Sequence, residues 1–300
     1  MKSNATSALI ALIFTVIVWG ITPVFARSVS LAMGPVEALI VRLILVAIVF
    51  VVLLSVTTGF HIDRKDWPRL LLISFVGMLG YFVCSVFGFR YAPAGVGTLI
   101  MSTQPMIIAI LASAAGFEKL SSATILGLIV SFIGSILLVW GSGEGASAAL
   151  GAEIIYGCTL IFLGGIAWSV FVVFSKPLIQ SYGALKISGL SNALIALPLL
   201  PFVNSRTIDT VFNLDQGAIF GLVFLTFIGA SASIVTWNYA AATLRPSVLG
   251  SSLYIMPLVA VIAGWAILNE PVTPNTIFAA AIILVGVAIS QVKLKLRAAT

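Results

Sequence analysis

Charged side chains are nearly missing from this sequence. Asp, Glu, Lys and Arg make up 8% of its 300 residues, where a soluble domain carries about a quarter. A water-soluble fold is excluded, because too few ionic groups exist to clothe its surface. Histidine occurs once, at His61, and cysteine twice, at Cys84 and Cys158. Both cysteines lie inside apolar runs and read as small core residues, not as a disulfide framework. No His, Cys or carboxylate cluster has metal-ligand spacing, so neither a metal nor another cofactor is expected. The apolar runs also hold no nucleophile-base pair, His-Glu motif or paired carboxylates, which leaves an intramembrane enzyme without catalytic groups.

What the chain does have is hydrophobic length. Of its residues 61% are hydrophobic, and the charge-free runs 91–117, 216–244 and 246–269 each exceed the roughly 20 residues with which an α-helix crosses a bilayer. A β-barrel would instead show short alternating segments. Hydropathy predicts an all-α integral membrane protein with ten transmembrane helices near 8–26, 36–58, 70–89, 95–117, 123–140, 154–175, 187–203, 217–238, 248–268 and 276–292. The first is long for the apolar core of a secretory signal and has a counterpart at 160–175, so it is kept as a span.

A net charge of +6 suggests a nucleic-acid partner only until the cations are placed along the chain. With both termini on one side, that side collects 11 of them: Lys2, Arg64, Lys65, Arg69, Lys119, Lys176, Lys186, Arg245, Lys293, Lys295 and Arg297. The other side keeps 3, Arg27, Arg90 and Arg206. Lys and Arg are retained in the cytoplasm, so both termini are expected there and no nucleic acid is implied.

The chain also repeats itself. Trp19 to Arg27 returns as Trp168 to Lys176, and Pro105, Glu118, Thr124, Ile125 and Gly134 return without a gap as Pro257, Glu270, Thr276, Ile277 and Gly286. The expected organisation is a first five-helix repeat over 1–140, a Gly, Ala and Ser-rich loop over 141–151, and a second repeat over 152–300. Five spans per copy put the second copy into the bilayer upside down, the inverted-repeat layout of alternating-access transporters. Other loops are short, so any chemistry lies between helices.

Within the spans a few residues stand out. Pro105 and Pro257 lack the amide proton that Met101 and Leu253 would accept, so both helices should kink there. Paired kinks suit a hinge, although membrane helices tolerate proline anyway. Ser251 and Tyr254 share a helix face on span nine, and Tyr81, Ser85, Trp237 and Asn238 add polar and aromatic groups on spans three and eight. Such groups are costly against lipid and should face the bundle interior. Trp19 and Trp168 hold equivalent places, too deep for a headgroup belt, and serve either as opposing aromatic walls for a flat or cationic ligand or as plain packing. Arg42 lies within span two, where a cation costs roughly 2.5–3.5 kcal/mol. Glu37 sits five positions back, so a structural pair or carbonyl cap competes with a carboxylate-binding role. Glu118 and Glu270 end spans four and nine, against the helix dipole, and are read as structural or gating charges held by backbone amides or a cation. Spans five and ten carry small residues at helical spacing, Gly127, Ser131 and Gly134 in one, Ala279, Gly286 and Ser290 in the other, fit for close packing within the chain or against a second copy.

The repeated Pro-to-Glu-to-Gly pattern, the tryptophan in the first span of each half and the ten spans resemble the drug/metabolite transporter superfamily, in its ten-helix EamA-type branch, and YddG-like amino-acid exporters within it. The resemblance spans nearly the whole chain. It implies a multi-pass protein of a bacterial-type inner membrane that exports small metabolites, monomeric by preference with a homodimer as the alternative. By span it implies a cavity lined by Trp19, Tyr81, Ser85, Met101, Gln104, Trp168, Trp237, Asn238, Ser251 and Tyr254. Phosphate-bearing substrates would call for several cavity cations, and only Arg42 is at hand. The acid that the four-helix multidrug branch keeps in its first span is missing here. Neutral or aromatic amino acids are therefore the expected cargo, with toxic organic cations as the alternative and a passive channel as the rival of another class.

Overall fold

A computed structural model describes residues 5–92, 97, 100–141, 152–268 and 274–290. Among these every regular element is helical. Seven helical stretches are long and apolar enough to cross a membrane: Ala5–Thr22, Pro35–Val56, Arg64–Tyr91, Ala152–Tyr182, Ala184–Phe202, Gln216–Thr243 and Pro246–Ala263. Three shorter apolar helices, Gln104–Ala114, Ser122–Leu138 and Pro274–Ser290, fall where spans four, five and ten are expected. The helix of span six runs on to Tyr182, through Lys176 and Pro177, seven residues beyond its expected end. Most of the expected loop 141–151, and Glu270, lie outside the described residues.

Packing gathers the chain into two compact units, Met1–Leu79 with Phe174–Thr243, and Gly80–Val173 with Leu244–Thr300. Each draws on both halves of the sequence. In the first unit span one packs on span eight and span two on span seven. Its core between spans one, two and eight holds Val29, Met33, Val41, Leu222 and Leu225. In the second unit span five packs on span ten, and the helix carrying Pro105 packs on the start of span nine.

Several local features recur at fixed steps. Gly34 and Gly183 precede the second helix of each half with φ of 86° and 88°, a left-handed conformation that only glycine adopts without strain. They are as far apart as Trp19 and Trp168. Spans three and eight each contain a widened π-helical segment, Leu72–Leu79 and Phe224–Ala232. These start 152 residues apart, the same step that separates Pro105 from Pro257. Long π segments are rare, and each packs more residues into a turn than an α-helix does. Span seven covers the first and span two the second.

An element that hydropathy does not announce is the short helix Ser205–Phe212 between spans seven and eight, capped by Asn204 Oδ1 accepting from Thr207 N at 3.0 Å. Thr207 is buried, while Ile208 and Phe212 stand exposed.

The small-residue stripes of spans five and ten face each other. A Cβ at Gly127 would collide with the backbone of Ser290, one at Gly286 with Ser131, and one at Gly134 would come within 2.9 Å of Ile283 N. This approach brings Ser131 Oγ to donate to Ile283 O at 3.2 Å and Thr124 Oγ1 to Ser290 O at 3.4 Å. Such contacts replace the hydrophobic drive that lipid cannot supply between helices.

Glu118 resolves the conflict with its own helix dipole by leaving it. Its carboxylate accepts from Ser247 N at 3.0 Å and from Ser247 Oγ, at the first turn of the helix Pro246–Ser252, where a negative charge is favoured. Arg245 Nη1 stands 3.6 Å away; the Glu118 side chain is 3% exposed and that of Arg245 34%.

Two outcomes follow for stability. Gly286→Val should destabilise the purified protein by about 1–3 kcal/mol, the cost of overpacking a closed interface, read as a lower thermal midpoint in detergent. Glu118→Ala should remove about 2 kcal/mol, since it strands the Ser247 amide and a partly buried guanidinium. Glu118→Gln, which keeps an acceptor, should lose less in the same melt.

Candidate functional site

Two tryptophan-centred clusters arise from equivalent places in the two halves. In the first unit Thr15 and Trp19 of span one face span eight. Thr15 Oγ1 donates to Ala11 O at 2.9 Å and lies 2.7 Å from Thr236 Oγ1, and Trp19 Nε1 donates to Ser233 Oγ at 2.8 Å. Ser233 Oγ in turn donates to Gly229 O at 2.6 Å. The Trp19 and Trp237 rings lie 5.0 Å apart with 34° between planes, within the range for offset aromatic pairs. Trp237 and Asn238 are fully buried. Asn238 Nδ2 reaches span seven, donating to Ser188 Oγ at 2.8 Å.

In the second unit the same arrangement is built from spans six and three. Trp168 lies 5.2 Å from Tyr81, at 48°, and 5.2 Å from Phe171, at 31°. One turn earlier on span six, Gly164 and Gly165 stand where span one has Thr15 and Val16. A Cβ at Gly164 would sit 3.2 Å from Cys84 Cβ and 3.3 Å from Ser85 Oγ, and one at Gly165 would sit 3.1 Å from Gln104 Cγ and 3.7 Å from Gln104 Nε2. The glycine pair thus lets spans three and four lay Ser85 and Gln104 against bare helix backbone. Both Ser85 Oγ and Gln104 Nε2 are buried and make no hydrogen bond among the described residues. An unmade hydrogen bond in a buried place costs about 1–3 kcal/mol.

Tyr81, Ser85, Gln104 and Trp168 are therefore brought together. Tyr81, Ser85 and Met101 are half-buried, and Trp168 and Gln104 are each 7% exposed. Elsewhere the expected lining residues are more enclosed. Ser251 Oγ returns to Val248 O at 3.1 Å, and Tyr254 packs among Leu128, Leu138, Leu258 and Ile283. Pro105 and Pro257 each stand in the first turn of a resumed helix: Gln104–Ala114 follows a turn at 102–103, and Met256–Leu268 follows the 3-10 turn Leu253–Ile255. Span nine comes close at Gly250, whose Cβ would lie 3.2 Å from Pro105 O. Glu37 lies in the first turn of span two and Arg42 further along it, both half-buried.

Sequence reading passed over Gly164 and Gly165. The signal was present as two adjacent glycines in mid-span, one turn before a tryptophan whose counterpart has no such pair. Among the described residues no group of three or more His, Cys, Asp or Glu side chains gathers as for a metal.

Comparison with known proteins bears on what this arrangement serves. The EamA-like transporter family matches the chain twice, over residues 6–140 and 155–291. An uncharacterized transporter of Archaeoglobus fulgidus is 25% identical over 280 residues, 93% of this chain and 96% of its own. A probable terminal-alkyne amino-acid exporter of Streptantibioticus cattleyicolor is 25% identical over 286 residues, covering 94% and 92%. A crystal structure of a protein 18% identical superposes with a TM-score of 0.80 over 99% of this chain and 100% of that one, a likeness of fold. With its apolar helices and its twofold match, this multi-pass membrane protein belongs to the EamA-like transporter family.

Proposed function

We propose that the protein exports small neutral metabolites, neutral and aromatic amino acids foremost, from the cytoplasm across a bacterial-type inner membrane by alternating access. The observation that carries this reading is the cluster of Tyr81 and Trp168 beside Ser85 and Gln104. It offers ring faces for an apolar side chain and uncharged hydrogen-bonding groups for polar ends. None of the four carries a charge at neutral pH, so phosphate-bearing cargo lacks the cations it would need. The similarity to a named amino-acid exporter along 94% of the chain supports the same cargo class.

The working cycle rests on ten spans in two inverted repeats, 1–140 and 152–300, with both termini cytoplasmic. Substrate enters a central aromatic and polar cavity from the cytoplasm, and rocking about the broken helices at Pro105 and Pro257 opens the outer side. Glu118, Glu37 and Arg42, with Glu270 by its repeat position, serve as structural or gating charges. The protomer works alone. Aromatic faces also attract cations, which makes export of organic cations the second reading.

Counterflow in proteoliposomes separates these readings. Labelled phenylalanine should accumulate saturably and be displaced by unlabelled leucine or phenylalanine, and not by tetramethylammonium or a sugar phosphate. Displacement by the quaternary cation alone would transfer the assignment to cation export, and single-channel currents would replace the carrier with a pore. An imposed pH gradient should leave the initial rate unchanged, because the described cluster offers no carboxylate or imidazole as a proton relay. Acceleration by that gradient would sink the uncoupled mechanism.

A further inference from the structure

The two tryptophan clusters are quasi-equivalent, and their differences are informative. Spans one and six correspond through Trp19 and Trp168, and spans three and eight through their π segments. These steps make Tyr81 the counterpart of Ser233, Cys84 of Thr236, Ser85 of Trp237 and Gly164 of Thr15. The contacts correspond as well. Thr15 Oγ1 approaches Ser233 O at 3.3 Å, and a Cβ at Gly164 would approach Tyr81 O at 3.5 Å. Thr15 meets Thr236, as Gly164 meets Cys84.

Hydrogen bonding separates them. Around Trp19 the indole N–H goes to Ser233, the Ser233 hydroxyl to Gly229, and the Thr15 hydroxyl to span one and span eight. The counterpart of Ser85 is a tryptophan with no exposed surface. Around Trp168 the threonine is replaced by glycine and the tryptophan by serine. Among the described residues Ser85 Oγ and Gln104 Nε2 make no hydrogen bond, beside a half-buried Tyr81. Among the described residues Ser191 Oγ, Thr226 Oγ1, Asn238 Oδ1, Tyr254 Oη and Arg245 Nη2 are also buried without a hydrogen bond; the first four belong to residues at most 3% exposed, against a half-buried Ser85 and Tyr81, and Arg245 already stands beside Glu118.

We infer that the two clusters have divided their work. The one at Trp168 recognises a hydrogen-bond acceptor on the cargo, the carboxylate of a neutral amino acid, with Ser85 and Gln104 as specificity-determining residues and Gly164 and Gly165 positioning them, whereas the one at Trp19 is a packed clasp. This deepens the amino-acid reading above and rests on it. A hydroxyl and a carboxamide N–H both donate, and donation to a charged acceptor in a site shielded from water is the stronger class of hydrogen bond. A cargo of the same ring and amine without the carboxylate leaves those donors unsatisfied, which is how a polar pocket rejects an analogue.

The test compares phenylalanine with phenylethylamine, which lacks only the carboxylate, in proteoliposomes of the full chain. For the unaltered protein KM should be lower for phenylalanine. Gln104→Met, close in length but without donors, should raise the phenylalanine KM on the order of ten- to a hundredfold, the worth of a hydrogen bond to a charged group, and leave that for phenylethylamine within about twofold. Ser85→Ala should act in the same direction with smaller size, and carries the comparison alone if Gln104→Met does not fold. Ser233→Ala, in the clasp, should lower the thermal midpoint and leave the ratio of the two KM values unchanged. Retention of full discrimination by both Gln104→Met and Ser85→Ala, or its loss in Ser233→Ala, overturns the assignment while the exporter reading stands. If the unaltered protein carries neither probe, the amino-acid reading fails and this inference with it.

Discussion

Hydrocarbon offers no hydrogen bonds, and that constraint governs where every polar group in these helices goes. Thr15, Thr22, Ser74, Ser135, Ser169 and Ser233 each donate to a carbonyl four residues back on their own helix. Such hydroxyls satisfy themselves and cost the bilayer little. Helices without polar glue must then hold together by approach, which is why glycine and serine line the seam between spans five and ten. Against this background, Ser85 Oγ and Gln104 Nε2 are among the few buried side-chain atoms of the described residues that make no hydrogen bond. They stand beside a half-buried Tyr81 and a buried Trp168.

Much of the fold was legible because bilayer thickness fixes the length of an apolar run. Seven of the expected spans coincide with helices long and apolar enough to cross a membrane, and shorter apolar helices lie where spans four, five and ten are expected. The duplication was legible in the tryptophan and Pro-to-Glu patterns. The π segments were not, since a residue gained within a turn leaves hydropathy unchanged and no residue type demands it. The helix Ser205–Phe212 escaped for another reason: it is polar on one side and too short for a span, although Asn204 marks its start.

For the site, residue types were readable and their states were not. Tyr81, Ser85, Gln104 and Trp168 converge, while Trp237 and Asn238 are wholly enclosed. Sequence treats Trp19 and Trp168 as twins because they are twins by position. What distinguishes them lies one turn away, in Thr15 against Gly164, and across the interface, in Trp237 against Ser85. Only packing tells which polar atoms are already engaged. Glu118 illustrates the same point, since its position at a helix end says nothing of the neighbouring helix whose amide it receives.

The paired π segments have a consequence for how the aromatic clusters can be altered. Each holds more residues in its turns than an α-helix would, so the chain beyond it is turned relative to regular winding. A one-residue deletion within Leu72–Leu79 or Phe224–Ala232 is therefore absorbed as the segment tightens to α-helical winding. The same deletion in a regular α-helical stretch has no such slack and turns the residues beyond it by about 100° about the axis, while hydropathy, composition and helix length stay almost as they were.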